Sequence, residues 1–301
     1  MKDKKHLFSI LLALFVTFLW STSWVLVKEG LANMPPLTFA GLRYTLAAII
    51  LFLYLLITKR VHELRNIDKK HWIKLILLAF TMYFLTQGAQ FLGLYYLPAI
   101  QVSLILNFTP VLVLLFATKY INESPTKNNI CGMVIFLLGV VLYFFPMDTE
   151  WGSTIGYIVM FVGLFSNAIA TVLGRNINKT KTVSPTVVTS VSMGIGGLLL
   201  LMTGVASEPF PVLTSTSIYL IVWLAIVNTA IAFTIWNKTM QVLSSIETSI
   251  INNTMLIQIA ILAWIFLDET VTVKAVVSLL IITFGAFLVQ YRKKKRVLPI
   301  E

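Results

Sequence analysis

The sequence contains one motif twice, and the spacing between the two copies decides the fold. Residues 97–103 read LPAIQVS and residues 243–249 read LSSIETS. Each copy is followed four residues later by an asparagine, and further on by an acidic end, INE at 121–123 and LDE at 267–269. Corresponding positions in the two copies are all 146 residues apart. One register kept over more than forty residues indicates an internal repeat, so the chain consists of two related halves.

Both copies lie between long apolar segments, and apolar residues dominate the whole chain. Hydrophobic residues make up 58% of the 301 residues and charged residues only 12%, whereas a soluble domain has roughly 25% charged residues. This composition excludes an ordinary soluble enzyme and a disordered protein. Cys131 is the single cysteine, which excludes a module held together by internal disulfides.

The apolar segments have the length of membrane-spanning helices. A helix needs about 20 apolar residues to cross the hydrocarbon layer of a bilayer. Such segments lie at residues 7–27, 37–57, 73–95, 99–118, 129–146, 152–173, 185–204, 217–236, 246–267 and 272–291. They predict an all-α polytopic membrane protein with about ten transmembrane helices in contact with a lipid bilayer.

The basic residues determine the predicted orientation of these helices. The chain has 23 Lys and Arg against 12 Asp and Glu, and cytoplasmic loops are enriched in Lys and Arg. If both termini lie on one side, that side receives 20 of the basic residues; Lys28 and Lys274 fall opposite, and Arg43 lies within a span. We therefore expect a multi-pass protein of the cell membrane with both termini in the cytoplasm. Because the basic residues lie between apolar runs, nucleic acid is not expected as a partner.

Five predicted spans fall in each half, and an odd number of spans turns the second half upside down relative to the first. The sequence predicts a five-helix repeat at residues 1–147, an inverted repeat at 148–291 and a basic cytoplasmic tail at 292–301. Many secondary transporters consist of inverted repeats that hold the substrate between them near the bilayer midplane. The alternative is a duplication that serves helix packing alone.

The spans carry a series of short motifs: Trp20-Ser21, Arg43-Tyr44, Thr109-Pro110-Val111, Glu123, Gly132 with Gly139, Ala232-Phe233, Trp236-Asn237 and Asp268-Glu269. In their order and spacing, over essentially the whole chain, these motifs resemble those of the EamA transporters of the drug/metabolite transporter superfamily. The two halves differ where Leu256 stands opposite Pro110 and Ser278 stands opposite Gly132. The resemblance implies a ten-helix carrier that moves small organic solutes and commonly exports amino acids or other metabolites.

Polar and indole side chains inside the predicted spans are the candidate substrate-binding residues. A polar group is costly inside hydrocarbon unless it is paired or faces a cavity. The candidates are Trp20, Ser21, Trp24, Gln87, Gln90, Asn107, Ser166, Asn167, Asn228, Trp236 and Asn253. The alternatives are hydrogen bonds between helices for the amides and hydroxyls, and an interfacial aromatic belt for Trp24.

Four further residues are candidates for structural or gating roles: Arg43, Pro110, Glu123 and Glu269. Arg43 is an intramembrane cation, for which the alternatives are binding a substrate carboxylate or extending to the outer face. Pro110 has no backbone N–H, so it predicts a helix kink and a carbonyl free for a ligand or a hinge. Glu123 and Glu269 are expected to cap the helices that follow them, because a helix N-terminus attracts an anion. Gating pairs are the alternative role for these two carboxylates.

The residue types that the spans lack narrow the function. No Asp or Glu lies in the middle third of a predicted span, and proton-relay carriers typically place an acid there. The sequence has no Walker A motif, no metal-ligand cluster and no catalytic constellation, so we expect no ATP-driven pump, no enzyme, no metal and no cofactor. We expect a secondary transporter working by alternating access, which exports amino acids or similar neutral or zwitterionic small-molecule solutes.

Two other functions fit the same sequence. The 20 phenylalanines suit efflux of hydrophobic toxic compounds. A non-transporting membrane enzyme or scaffold is the alternative of another class. The sequence leaves open whether the protein is a monomer or a homodimer.

Overall fold

The computed structural model describes residues 2–113, 126–145, 151–179, 183–239, 242–243 and 245–290. These parts are helical and contain no strand. The main helices are α1 (Lys2–Gly30), α2 (Pro36–Ile57), α3 (Lys69–Leu78, Ala79–Thr86 and Gln87–Tyr96), α4 (Ala99–Leu106), α5 (Lys127–Phe144), α6 (Trp151–Lys179), α7 (Pro185–Ser207), α8 (Ser215–Ala225, Ile226–Ile231 and Ala232–Thr239), α9 (Ser245–Phe266) and α10 (Val273–Gln290). A short 3-10 helix, Arg60–Asn66, follows α2.

The helices confirm an all-helical, multi-pass membrane protein. In the described chain, seven helices are long and apolar enough to cross a membrane, namely α1, α2, α3, α5, α6, α7 and α8. Shorter apolar helices, Ala99–Val113, Ile251–Phe266 and Val273–Val289, cover α4, α9 and α10. Large apolar side chains such as Leu138 and Trp264 point outward, as expected of a surface that faces lipid tails.

Capping side chains begin helices at positions that are 146 residues apart. Asp68 and Thr214 accept backbone N–H bonds in the first turns of α3 and α8. Thr126 and Thr272 do the same at the starts of α5 and α10. Such side chains satisfy N–H groups that have no partner within the helix. The helix starts therefore repeat in the two halves with the spacing of the sequence motif.

The middle of α3 and the middle of α8 are π-helical, over Ala79–Thr86 and Ile226–Ile231. This wide turn is rare and is frequently found at functional sites. Thr86 and Thr229 fit into it by donating their hydroxyls to carbonyls five residues earlier, at 2.7 and 2.9 Å. The two π-helical segments occupy matching places in the two halves.

The helices α2 and α7, one from each half, pack as an antiparallel pair. A side chain on Gly41 would lie 2.4 Å from the Leu201 backbone, and one on Gly204 would lie 2.5 Å from the nitrogen of Thr38. Such distances leave no room for a Cβ atom. Glycine at these positions therefore lets the two backbones approach closely, as is common between membrane helices.

The helices α5 and α10 form a second antiparallel pair across the halves. A side chain on Gly285 would lie 2.5 Å from the Phe136 nitrogen. At one end of the pair, the Asn129 amide donates to the Val289 carbonyl at 2.6 Å. At the other end, the Lys274 ammonium donates to the carbonyl that follows α5. Both ends of this pair are therefore fixed by side chains.

The helix α4 is broken next to the proline for which a kink was predicted. It ends at Leu106, and helical backbone resumes at 109–113 after a two-residue turn. Pro110 cannot donate to the Leu106 carbonyl, and the Thr109 hydroxyl donates there instead at 2.6 Å. That carbonyl is therefore not left without a partner. The equivalent helix α9, which has Leu256 in place of the proline, is continuous.

Candidate functional site

Arg43 of α2 is buried between α2, α3 and α8. Only 4% of the residue is exposed, so the guanidinium does not extend to the outer face. Its central carbon lies 5.1 Å from the ring centroid of Tyr44 and 6.0 Å from that of Phe91. Its Nε and Nη2 atoms lie 3.4 Å from the Thr229 hydroxyl of α8, at the long limit of a hydrogen bond. No carboxylate of the described residues forms an ion pair with it.

Tyr44 connects this cation to α3. Its hydroxyl donates to Oε1 of Gln87 at 2.5 Å. Its ring packs edge-on against the rings of Tyr83 and Phe91. Gln90, one turn beyond Gln87, is half-buried. The predicted candidate Gln87 therefore lies beside an aromatic neighbour of Arg43.

Asn228 precedes Thr229 in the π-helical part of α8 and is fully buried. Its amide nitrogen donates to the Leu19 carbonyl and to the Thr22 hydroxyl (3.2 Å), both on α1. A carbonyl only accepts, so the amide nitrogen faces α1 and the amide oxygen points away. In the described structure this Oδ1 atom is buried without a hydrogen-bond partner. A buried acceptor that lacks a donor is uncommon in folded proteins.

Trp20 follows Leu19 on α1 and contacts the last piece of α8. Its ring centroid lies 5.2 Å from that of Phe233 and 5.1 Å from that of Trp236. The structure thus brings the predicted candidates Trp20 and Trp236 together. Trp24, one turn later on α1, is buried in the core, which contradicts the interfacial belt as its position.

Ser21 takes part in packing between α1 and α9. Its hydroxyl lies 2.8 Å from the Thr17 carbonyl and 2.9 Å from Oε1 of Gln258. The Gln258 amide nitrogen contacts the hydroxyls of Thr17 and Thr254. Ser21 is fully buried. Its contacts therefore agree with the alternative role, a hydrogen bond between helices, and not with substrate binding.

The remaining candidates lie on α4, α6 and α9. Asn167 donates to the Thr109 hydroxyl at 2.9 Å and so joins α6 to α4. Asn107 donates to a carbonyl one turn earlier on its own helix, at 2.8 Å. Ser166 and Asn253 are buried. The contacts of Asn167 and Asn107 thus lie between and within helices, separately from the contacts that surround Arg43.

The sequence analysis did not propose three polar side chains that the structure places in contacts between helices, namely Tyr83, Gln101 and Tyr157. Tyr157 of α6 donates its hydroxyl to Gln101 of α4 at 3.0 Å, and Tyr83 packs against Tyr44. The tyrosines could have been recognised from the sequence, because a tyrosine within an apolar span needs a hydrogen-bond partner for its hydroxyl. The identity of the partner depends on helix packing.

Glu269 caps α4 rather than the helix that follows it, which corrects the sequence prediction. Its carboxylate accepts N–H bonds from Ala99 and, at 3.1 Å, from Ile100. The reason is that α4 is preceded by a proline, which offers no capping side chain, whereas α10 is capped by Thr272. Glu269 thus joins the second half to the first. Glu123 lies outside the described residues, and its role stays a prediction.

Polar and aromatic side chains of α1, α2, α3 and α8 surround the region of Arg43: contacts join Arg43 to Tyr44 and Thr229 and join Tyr44 to Gln87, Asn228 precedes Thr229, and Trp20 packs on Phe233 and Trp236 of α8. We call this set the Arg43 cluster, and its members are Trp20, Arg43, Tyr44, Gln87, Asn228 and Thr229. It contains one cation, two amides, two hydroxyls and an indole. Such a group can bind an anion at the guanidinium and a cation at the amide oxygens or the aromatic faces.

Comparisons with known proteins identify relatives over the whole length of the chain. A model of the EamA-like transporter family matches residues 7–145 and 154–291. The uncharacterized transporter YvbV of Bacillus subtilis is 29% identical over 297 residues, covering 98% of this chain and 95% of the relative. An S-adenosylmethionine/S-adenosylhomocysteine transporter of Chlamydia muridarum is 25% identical over 276 residues, covering 87% of this chain and 85% of the relative. A crystal structure that is 18% identical shares the fold with a TM-score of 0.68, covering 93% of this chain and 96% of that one.

Proposed function

The chain belongs to the EamA-like transporter family, and on that premise we propose that it is a secondary transporter that works by alternating access. The family and its relatives make it a membrane transporter of small molecules and not an enzyme. We propose further that it exports amino acids or similar neutral or zwitterionic solutes across the cell membrane. The observation that carries this proposal is the buried Arg43 cation, which contacts Thr229 of the second half and pairs with no carboxylate of the described residues.

The proposed architecture is ten helices in two inverted five-helix halves. Its support is the 146-residue spacing of the caps at Asp68 and Thr214 and at Thr126 and Thr272, together with the matching π-helical segments. The pairs α2 with α7 and α5 with α10 join equivalent helices, since the numbers of their residues also differ by about 146. Halves related in this way can exchange conformations, which is the basis of alternating access.

The proposed solute class follows from the charges of the Arg43 cluster. Its only charged member is Arg43, and no carboxylate of the described residues pairs with it. A solute with a carboxylate would neutralise this cation, and the amides and indole can accommodate a protonated amine without a fixed negative charge. A zwitterion offers a carboxylate to Arg43 and a protonated amine to the amides and the indole. A purely cationic drug would be repelled by the guanidinium.

The proposed orientation places both termini in the cytoplasm. It rests on the distribution of basic residues, of which 20 fall on one side of the predicted topology. Lys28 and Lys274 on the opposite side have structural partners, because they donate to backbone carbonyls at helix ends. These two lysines therefore do not weaken the assignment.

S-adenosylmethionine is a second candidate solute, suggested by the relative from Chlamydia muridarum. This molecule is an amino acid that also carries a sulfonium cation and an adenine ring. The contact of Trp20 with Phe233 and Trp236 favours it, because aromatic faces attract organic cations.

Flux into proteoliposomes that contain the purified protein tests the proposal. Three labelled probes are measured separately: a mixture of L-amino acids, S-adenosylmethionine, and a hydrophobic cationic dye. Protein-free liposomes are the control. Saturable flux of an amino acid or of S-adenosylmethionine supports the proposal. Flux of the dye without either of them favours efflux of toxic compounds, and absence of flux from a correctly folded protein contradicts a transport function for these solutes.

A further inference from the structure

We infer that Arg43 and Asn228 form a site for the head group of an α-amino acid, with the solute carboxylate on the Arg43 guanidinium and its ammonium on Oδ1 of Asn228. This inference rests on the proposed function and specifies how the solute is held. It chooses for Arg43 the solute-binding role that the sequence offered as an alternative to a structural or gating one, and it adds Asn228 as the acceptor for the ammonium.

Among the residues that the structure describes, no carboxylate pairs with the Arg43 guanidinium. It has five N–H donors, and its hydrogen-bonding contacts in the described structure are the two long ones to the single oxygen of Thr229. One face of the guanidinium lies against the rings of Tyr44 and Phe91. Aromatic rings stabilise a cation but cannot accept its in-plane N–H groups. A carboxylate matches the planar fork of donors and would supply the missing charge.

Asn228 offers the complementary group. Its amide oxygen can only accept hydrogen bonds, and it is buried without a donor from the described part of the chain. The two bonds from its nitrogen to α1 hold the amide in one orientation. A solute ammonium carries three donors and a positive charge, so it would satisfy this oxygen.

The two groups are linked through neighbouring residues of one π-helical segment, because Asn228 directly precedes Thr229, the residue that Arg43 contacts. Thr229 contacts Arg43 on α2, and Asn228 contacts Leu19 and Thr22 on α1. The π-helix thus joins the helix that bears the cation to the helix that fixes the acceptor. An α-amino acid carries its carboxylate and ammonium on one carbon atom, and a site for it needs the two recognising groups side by side.

Competition against uptake by the wild-type protein tests whether the protein recognises both the carboxylate and the ammonium of the solute. The probe is a ¹⁴C-labelled mixture of L-amino acids taken up into proteoliposomes. The competitors are the unlabelled mixture, the corresponding methyl esters, which lack the carboxylate, and the N-acetyl derivatives, which lack the ammonium. We expect the free amino acids to compete and both derivatives to compete at least roughly thirty-fold more weakly.

Variants then assign each charge to its residue. Arg43→Gln should lower uptake of the free amino acids by roughly thirty-fold and abolish their advantage over the methyl esters. Asn228→Ala should abolish the advantage over the N-acetyl derivatives. Lys274→Gln, which removes a cation bound to a backbone carbonyl at the end of the α5–α10 pair, should keep both preferences at equal amounts of folded protein. Arg43→Lys keeps the charge without the planar fork and should retain part of the preference for a carboxylate.

Three results would overturn the inference. If the esters and N-acetyl derivatives compete with wild-type uptake as well as the free amino acids, no head-group site exists, although transport of amino acids stands. If Arg43→Gln keeps the full preference for the carboxylate, the anion is bound elsewhere. If the folded wild-type protein takes up neither an amino acid nor S-adenosylmethionine, the proposed function fails and the inference fails with it. The competition experiment uses the wild-type protein, so it tests the head-group site even if the Arg43→Gln variant does not fold.

Discussion

The Glu208 carboxylate, just beyond the end of α7, accepts hydrogen bonds from the backbone N–H of Thr38 at 2.8 Å and from its hydroxyl at 2.9 Å. Thr38 lies in the first turn of α2. At the opposite end of the same helix pair, the Glu63 carboxylate beyond α2 accepts the backbone N–H of Ser184, which precedes α7, at 2.9 Å. Each helix of the pair is therefore capped by a carboxylate that follows its partner, and the two halves are fixed together at both ends.

Removal of the Glu208 carboxylate should destabilise the protein. In Glu208→Ala the first turn of α2 loses its cap, and we expect a loss of about 1–3 kcal/mol of unfolding free energy. Thermal unfolding in detergent measures the effect as a lower Tm. Glu29→Ala, which removes an exposed carboxylate at the end of α1, is the matched control. Equal Tm values for both variants would show that the cap does not stabilise the pair.

The stability of the protein should depend on acidic pH through Glu63. Partial burial raises the pKa of this carboxyl, but the hydrogen bonds from Ser184 and the nearby Arg60 and His62 outweigh it and lower the pKa below the ordinary value of 4.5. A lowered pKa in the folded state means that the ionised form stabilises folding. This contribution is present above pH 4.5 and is lost as the pH falls through the lower folded value. It amounts to a few tenths of a kcal/mol because solvent screens a half-buried carboxyl at the surface.

Thermal unfolding between pH 6 and pH 3 checks this dependence. Wild type should lose slightly more stability on acidification than Glu63→Gln, which cannot titrate. Parallel pH profiles for the two proteins would rule out the linkage.

A methyl group on Gly285 should separate α5 from α10. Its Cβ would lie 2.5 Å from the nitrogen of Phe136, and backbone cannot yield as a flexible side chain does, so Gly285→Ala should cost about 1–3 kcal/mol. Gly194→Ala is the control, since its nearest neighbour lies 3.7 Å away at the Cβ of Ala48. That change should be neutral or stabilising by up to about 1 kcal/mol, because alanine favours a helix over glycine. A drop in Tm in both variants, or in neither, would contradict the close contact.

Loss of the Trp20 indole should impair uptake. Trp20→Ala removes two aromatic contacts to α8, each worth about 0.5–1.5 kcal/mol, and we expect at least a roughly tenfold fall in amino-acid uptake. Trp264→Ala on α9 is the control, because that indole is 60% exposed on the outer surface. Uptake by each variant is compared at equal amounts of folded protein. Comparable uptake in the two would place the solute away from Trp20.

The helices were predictable from the sequence because their signals are local. The apolar length of each segment and the prolines or capping residues at their starts place most boundaries within a few residues, as at Pro36 and Pro185. The π-helical segments were not predicted, because they depend on hydroxyls such as that of Thr229 reaching a carbonyl five residues back. Such a turn leaves no periodic trace in an apolar run.

The candidate site was predictable in its residue types but not in its partners. Arg43 and Asn228 were conspicuous as polar residues inside spans. That Arg43 contacts Thr229, 186 residues later in the chain, follows only from packing of α2 against α8. The same limit applies to Glu269. Its sequence position predicted that it caps the following helix, whereas in the packed structure its carboxylate caps α4.

Labelling of two equivalent positions tests the inverted repeat most directly. Lys69 and Ser215 are 146 residues apart, exposed, and first in α3 and α8. Lys69→Cys and Ser215→Cys are each made in a Cys131→Ser background and treated in intact cells with a membrane-impermeant maleimide. We predict that the Ser215→Cys variant is labelled from outside and that the Lys69→Cys variant is labelled only after the membrane is opened. Labelling of both variants from the same side would contradict the account.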